Sequence, residues 1–116
     1  MKIDLLPLSQ ISDALASGAV SPEALLEASL ARIRAVDGRL HAFLRLTTDE
    51  AGAAAKASAH RRSSRKPLGP LDGVPLALKD IFTTEGIRTT AGSKILEPYV
   101  PPYDATPWAR DRKSVV

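Results

Sequence analysis

The 116-residue chain contains no cysteine, and this absence removes several kinds of site from consideration. A chain without thiols has no disulfide, no thiolate zinc site and no cysteine nucleophile. Aromatic residues make up only 4% of the sequence, so a core has to be built from Leu, Ile, Val and Ala. With 44% hydrophobic and 25% charged residues, the composition is that of one globular domain at most.

Long apolar runs are missing as well. No stretch approaches the roughly 20 apolar residues that a membrane span needs, and the opening MKIDLLPLSQ lacks the apolar centre of a signal peptide. We therefore expect a cytoplasmic chain without membrane contact. The sequence also lacks both glycine-rich phosphate-binding patterns, and its two histidines, His41 and His60, lie far apart along the chain. No cofactor and no metal are expected.

The net charge is +3, and much of the basic character lies in HRRSSRK, from His60 to Lys66. One interpretation of this run is a surface for RNA or for an acidic partner, which would make the protein a small basic binding module. The other is a solvated helix end that leads into a loop, and it is favoured because no aromatic residue interleaves the cations.

Two helices are predicted near the start of the chain. Leu8, Ile11 and Leu15 recur at helical spacing, with Gly18 as a stop signal. In the second helix Ser21 is suited to the N-cap and Pro22 to the first helical position. Its apolar stripe comprises Leu26, Leu30, Ile33 and Val36, and Gly38 is expected to end it.

Further along, short strands alternate with a third helix. AFLRL, at 42–46, is predicted to be a strand, and TTDE offers a capping box between Thr47 and Glu50. The alanine-rich residues 51–59 favour a helix. After a turn at Asp72-Gly73, VPLALK at 74–79 is predicted to be a buried strand. The proline-rich EPYVPPYDATP predicts irregular structure.

The strand at 74–79 ends in Lys79, and two interpretations of this lysine are open. A lysine at the end of a buried strand can reach solvent or pair with Asp72, Asp80 or Glu85. Alternatively, burial holds it as the neutral amine, which can act as a base.

The segments GPLDGVPLALKD, TTEGIRTTAGS and PPYDAT, in this order, closely resemble the front part of the amidase signature family. The upstream SGAVSPEALLEASLARI resembles the family too, so that the likeness runs from about Leu5 to Thr106. It implies an α/β fold with a mixed central sheet covered by helices, truncated in this chain. Residues 1–110 would be an N-terminal fragment of an amidase domain.

The resemblance also implies a catalytic role for Lys79, which matches the lysine of the family's Ser-cisSer-Lys triad. There the lysine takes a proton from a bridging serine in a cis peptide, and that serine deprotonates the nucleophilic serine. The loop residues Thr89, Thr90, Gly92 and Ser93 match a family segment beside the site, and we expect them to support it without taking part in the chemistry.

Within the family, SKILEPYVPPYDAT looks most like the A subunits of aspartyl/glutamyl-tRNA amidotransferases. This likeness implies glutaminase activity, with glutamine as the small-molecule amide, B and C subunits as partners and tRNA as an indirect one. Stand-alone amidases share much of the segment, so a stand-alone amidase stays an alternative. A short accessory protein that docks onto a full-length relative is another.

The triad's two serines have no counterpart in the sequence, since Ser63 and Ser64 lie in the basic run without flanking glycines. The last six residues, Asp111 to Val116, are what a common sequencing-adapter string encodes. We therefore expect 111–116 to be a non-native tail, with a genuine short tail as the alternative. We also expect the fragment to be inactive, because a base without a nucleophile performs no acyl transfer.

Overall fold

The structure, a computed structural model, describes residues 6–111. Four helices follow one another: α1 (Leu8–Ser17), α2 (Pro22–Leu40), α3 (Thr48–Ser63) and α4 (Thr106–Asp111). The chain divides into two compact units, one ending at Pro75 and the other beginning at Leu76. We call the described residues 6–75 unit 1 and 76–111 unit 2. The predicted non-native tail lies outside the described residues except for Asp111, the last residue of α4.

Helix α1 confirms the prediction made from its apolar spacing. Gly18 follows it in the left-handed conformation, with φ of 74°, and its N–H donates to the carbonyl of Leu15 at 3.4 Å. A side chain would strain this conformation, and glycine adopts it without cost. Leu15 is buried and contributes to the core of unit 1.

Helix α2 begins as predicted but does not end at Gly38. The Ser21 hydroxyl accepts a hydrogen bond from the Ala24 N–H at 3.1 Å, and Pro22 occupies the first helical position. The helix continues through Gly38 because a C-cap forms later, at His41, where φ is 51°. There the Asp37 carboxylate accepts the Ala42 N–H at 2.7 Å, which satisfies a donor beyond the helix end.

Helix α3 confirms the alanine-rich prediction and includes the first part of the basic run. Thr47 is at the N-cap, but its side chain makes no capping hydrogen bond, so the predicted capping box is wrong. Asp49 and Glu50 in the first turn instead complement the positive end of the helix dipole. Helices α2 and α3 pack against each other.

The core of unit 1 is small. Leu15, Val20 and Leu25 form a buried cluster, with Ile11, Ala14 and Val74 packed against it. The predicted stripe of α2 is only half-buried, whereas the neighbouring Leu25 is 2% exposed.

The prediction of strands at 42–46 and 74–79 is wrong for the described residues. Both segments have no regular secondary structure, and residues 6–111 contain only an isolated antiparallel bridge between Thr84 and Ile87. A strand exists through hydrogen bonds to a neighbouring strand, and no described segment supplies one to either stretch. The α/β sheet expected from the sequence is therefore not formed within this part of the chain.

Unit 2 is built mainly from turns and loop-to-loop hydrogen bonds. The Thr89 N–H donates to the Tyr99 carbonyl at 3.1 Å, and the Gly86 N–H donates to the Pro101 carbonyl at 3.0 Å. Thr84, Thr89 and Pro101 are buried. The irregular backbone predicted from the prolines is confirmed for residues 97–105, whereas Thr106 and Pro107 begin α4.

Candidate functional site

Lys79, the predicted catalytic residue, lies at the end of the extended segment and is exposed. Its carbonyl accepts the Phe82 N–H at 3.0 Å, so a tight turn follows it directly. Leu76 and Leu78 before it are 48% and 37% exposed. The expectation of a buried strand is therefore wrong for the described residues, which provide no covering layer on this segment.

Asp80, the residue after Lys79, is tied to the loop at 89–93. One of its carboxylate oxygens accepts the Thr90 N–H at 2.9 Å, and the other accepts the Thr90 hydroxyl. Its main-chain carbonyl accepts the Ala91 N–H at 2.8 Å. Asp80 and Thr90 therefore join the turn after Lys79 to a loop that lies ten residues further along the chain.

The loop itself is held by short-range hydrogen bonds. The Thr90 hydroxyl accepts the Gly92 N–H at 3.1 Å, and the Ser93 hydroxyl accepts the Ile95 N–H at 3.2 Å. Ala91, with φ of 49°, and Gly92, with φ of 71°, both adopt left-handed backbone conformations. The side chains of Thr90 and Ser93 thus order the backbone of this loop.

A second polar cluster lies in unit 1, where α3 meets the loop before Gly73. Arg61 donates two hydrogen bonds to the Asp72 carboxylate, from Nε at 2.9 Å and from Nη2 at 2.7 Å. Arg62 Nε donates to the Asp72 carbonyl at 2.8 Å, and the Leu68 N–H donates to the Asp72 carboxylate at 3.0 Å. The sequence offered Asp72 as a partner for Lys79, whereas the structure pairs it with Arg61.

Asp72 is fully buried and ionised. The Arg61 hydrogen bonds lower the pKa of its carboxyl from 3.8 to about 2, with further lowering by the Leu68 N–H, against the opposing effect of burial. The same pair raises the pKa of Arg61. A two-point guanidinium–carboxylate pair of this kind fixes orientation as well as charge.

Gly73 allows this loop to approach the helices closely. Its φ is 96°, and a Cβ built on it would lie 2.7 Å from Ser58 Oγ and 2.8 Å from Pro22 Cγ. The predicted turn at Asp72-Gly73 is therefore confirmed, with a glycine that both the backbone conformation and the packing require.

The remaining candidates from the sequence do not assemble into a site. Ser63 donates its hydroxyl to the His60 carbonyl at the end of α3, which is a helix-terminal role. Within the described ranges no group of His, Asp and Glu side chains has the arrangement of a metal site. None of the helices in that same part of the chain is long and apolar enough to cross a membrane.

Two side-chain contacts were not predicted from the sequence. The pair of Asp72 with Arg61 carries no short-range pattern, because eleven residues and a loop separate the partners. The sequence indicates the link between Asp80 and Thr90 only weakly, through the Asp that follows the predicted strand and the two threonines of TTAGS. Their spacing alone does not show which residues meet.

Comparison with known proteins gives a consistent family match. The family model described as Amidase matches residues 24–114. The chain is 56% identical over 108 residues to the glutamyl-tRNA(Gln) amidotransferase A subunit of Myxococcus xanthus, covering 91% of this chain and 22% of that protein. The protein of the same name from Streptomyces coelicolor is 55% identical over 101 residues, covering 87% of this chain and 20% of the relative. The chain thus spans about a fifth of the length of these relatives.

A solved structure shares the fold. It is a chain of a vestigial protein complex described as revealing the evolutionary origins of an s-triazine catabolic enzyme. It superposes with a TM-score of 0.89 at 36% identity, covering 96% of this chain and 25% of the other. The inhibitor-bound form of that complex gives a TM-score of 0.85 at 37% identity, covering 93% of this chain and 24% of the other.

Proposed function

This chain belongs to the amidase family, and from that membership we propose that it is the N-terminal segment of the A subunit of a glutamyl-tRNA amidotransferase. The observation that carries the proposal is the 56% identity to the Myxococcus xanthus protein over 91% of the chain. In this role the complete protein hydrolyses glutamine and supplies ammonia to B and C subunits, which amidate mischarged tRNA.

The segment's chemical contribution is Lys79. As the neutral amine it takes a proton from a bridging serine, which deprotonates the nucleophilic serine. Both serines and the covering layer over Lys79 would come from parts of the complete protein that have no counterpart in this sequence. The exposed Leu76 and Leu78 beside Lys79 support this, because apolar side chains at such a site call for a covering partner.

The basic run supports the alternative of a nucleic-acid module only weakly. Two of its four cations, Arg61 and Arg62, donate hydrogen bonds to Asp72. The other two, Arg65 and Lys66, are exposed. Two exposed cations provide little positive charge with which to bind a polyanion such as RNA.

A graft tests the proposed function. In what we call the chimera, this chain replaces the matching N-terminal segment of the Myxococcus xanthus relative, which is then assembled with that organism's B and C subunits. We expect ammonia release from glutamine and amidation of glutamyl-tRNA(Gln). A chimera that folds and assembles but hydrolyses only other small amides would instead favour a stand-alone amidase.

The proposal also predicts that the segment has no activity of its own. The chain without the rest of the protein should release no ammonia from glutamine above the rate in buffer. Measurable turnover by the purified chain, abolished by Lys79→Ala, would contradict the division of the triad between this segment and the remainder.

A further inference from the structure

The link between Asp80 and Thr90 has a geometry that bears on Lys79. We propose that Asp80 and Thr90 are positioning residues, which fix the main chain from which the Lys79 amine projects. The inference rests on the proposed function, since it concerns the same lysine.

The first observation is that Asp80 accepts three hydrogen bonds from the loop at 89–93. Both carboxylate oxygens accept hydrogen bonds from Thr90, one from the N–H and one from the hydroxyl, and the main-chain carbonyl accepts the Ala91 N–H. Three contacts on one residue determine both its side-chain rotamer and its backbone orientation.

The second step is the position of Lys79 next to this anchor. The Lys79 carbonyl accepts the Phe82 N–H, so the peptide that joins Lys79 to Asp80 lies between two fixed points. On its other side, residues 74–78 have no regular secondary structure in the described chain. The geometry of the Lys79 backbone is therefore set from its C-terminal side, by the turn and by the contact with Thr90.

The third step is the loop on which Thr90 lies. The Thr90 hydroxyl accepts the Gly92 N–H while it donates to Asp80, so one hydroxyl connects the anchor to the turn at Ala91 and Gly92. Loss of this hydroxyl would remove one of the three contacts on Asp80 and, at the same time, the acceptor of the Gly92 N–H. A proton transfer depends on placement of the reacting amine within hydrogen-bond reach of its partner, so a small displacement lowers kcat.

The test compares Thr90→Val with Thr90→Ser in the chimera. Valine keeps the shape and the main-chain N–H but removes the hydroxyl, whereas serine keeps both hydroxyl contacts. We expect Thr90→Val to lower kcat for glutamine hydrolysis roughly tenfold to a hundredfold, with KM changed less than about twofold. Thr90→Ser should stay within about threefold of the parent kcat, and Thr48→Val, at an exposed threonine in the first turn of α3, should have no effect.

Asp80→Asn is the second variant, in case the loss of the Thr90 hydroxyl prevents folding. Asparagine retains an oxygen that accepts the Thr90 N–H but removes the charge, and we expect a kcat decrease with KM unchanged. Hydrogen exchange at the Ala91 amide should quicken in the Asp80→Asn and Thr90→Val variants and not in Thr90→Ser.

The double variant separates positioning from a purely structural role. In a Lys79→Ala background, Thr90→Val should cause no further loss of ammonia release, because its effect acts through the lysine. A parent-like kcat in Thr90→Val, an equal loss in Thr90→Ser, or a further loss in the double variant would each overturn the inference. Parent-like turnover in Lys79→Ala alone would instead overturn the proposed function.

Discussion

At the scale of single residues, Asp72 organises the contact between α3 and the loop before Gly73. Its carboxylate and carbonyl accept hydrogen bonds from Arg61, Arg62 and the Leu68 N–H. The charge is fully buried, so its stabilising effect depends on its staying ionised and paired.

The first prediction concerns pH. Folding lowers the pKa of Asp72 from 3.8 to about 2, so the pair stabilises unit 1 fully above pH 4. This stabilisation, about 2 kcal/mol, is lost as the pH falls from about 4 towards 2, because the unfolded chain then binds a proton that the folded chain excludes. The difference in thermal midpoint between the chimera and its Asp72→Asn variant should therefore narrow over this range. A difference that stays constant down to pH 2 would contradict the assignment.

The second prediction concerns Gly73, where φ is 96° and an added Cβ would meet Ser58 and Pro22 at under 3 Å. We expect Gly73→Ala to destabilise unit 1 by about 2–3 kcal/mol, from backbone strain and the clash. The matched control is Gly52→Ala in α3, where an added Cβ would have no atom within 4 Å apart from the backbone of its own helix. It should stabilise the helix by about 0.5–1 kcal/mol. Hydrogen exchange of the α3 amides in the chimera reports both changes, and equal effects of the two variants would be inconsistent with this packing.

At the scale of elements, the helix starts differ in how they are capped. Ser21 accepts a hydrogen bond from the Ala24 N–H at the start of α2, whereas Thr47 makes no side-chain cap contact at the start of α3.

The third prediction follows from this difference. Ser21→Ala should destabilise α2 by about 1 kcal/mol, since an N–H of its first turn loses its acceptor. Thr47→Ala should cost less than half of that, and amide exchange in the first turn of each helix measures the two effects. A larger effect at Thr47 would show that the threonine side chain does cap α3 in solution.

Local chemistry made the helices predictable, whereas the strands depend on distant neighbours. The N-cap at Ser21 and the glycine end of α1 follow from contacts within a few residues. The end of α2 was misplaced because His41 adopts a left-handed conformation supported by Asp37, which no glycine signal marks. The sheet was wrong for residues 6–111 because strand pairing is non-local. For the candidate site, the family resemblance singled out the loop at 89–93, but it did not predict the pairing of Asp80 with Thr90.

At the scale of the whole molecule, large apolar side chains are exposed in both units. Leu44 in unit 1 is 77% exposed and Ile95 in unit 2 is 88% exposed. Unit 1 has only a small buried apolar cluster, and the described residues of unit 2 bury only Thr84, Thr89 and Pro101. Such limited burial leaves little free energy to offset the conformational entropy of the chain.

The fourth prediction is that the chain on its own is marginally stable or aggregates. Apolar side chains that the rest of an amidase domain would cover are then exposed to water and to other copies of the chain. Thermal unfolding followed by circular dichroism should give a broad, weakly cooperative transition, and size-exclusion chromatography should show oligomers. A sharp cooperative transition of a monomer would contradict this prediction.

The most direct test of the central claim is the rate of ammonia release from glutamine by the chimera with Lys79→Ala. If Lys79 is the base of the triad, kcat falls by roughly 10²–10⁴-fold. The matched control Lys56→Ala, at an exposed lysine in α3, leaves it unchanged. An unchanged kcat in a correctly folded and assembled Lys79→Ala chimera would contradict the account.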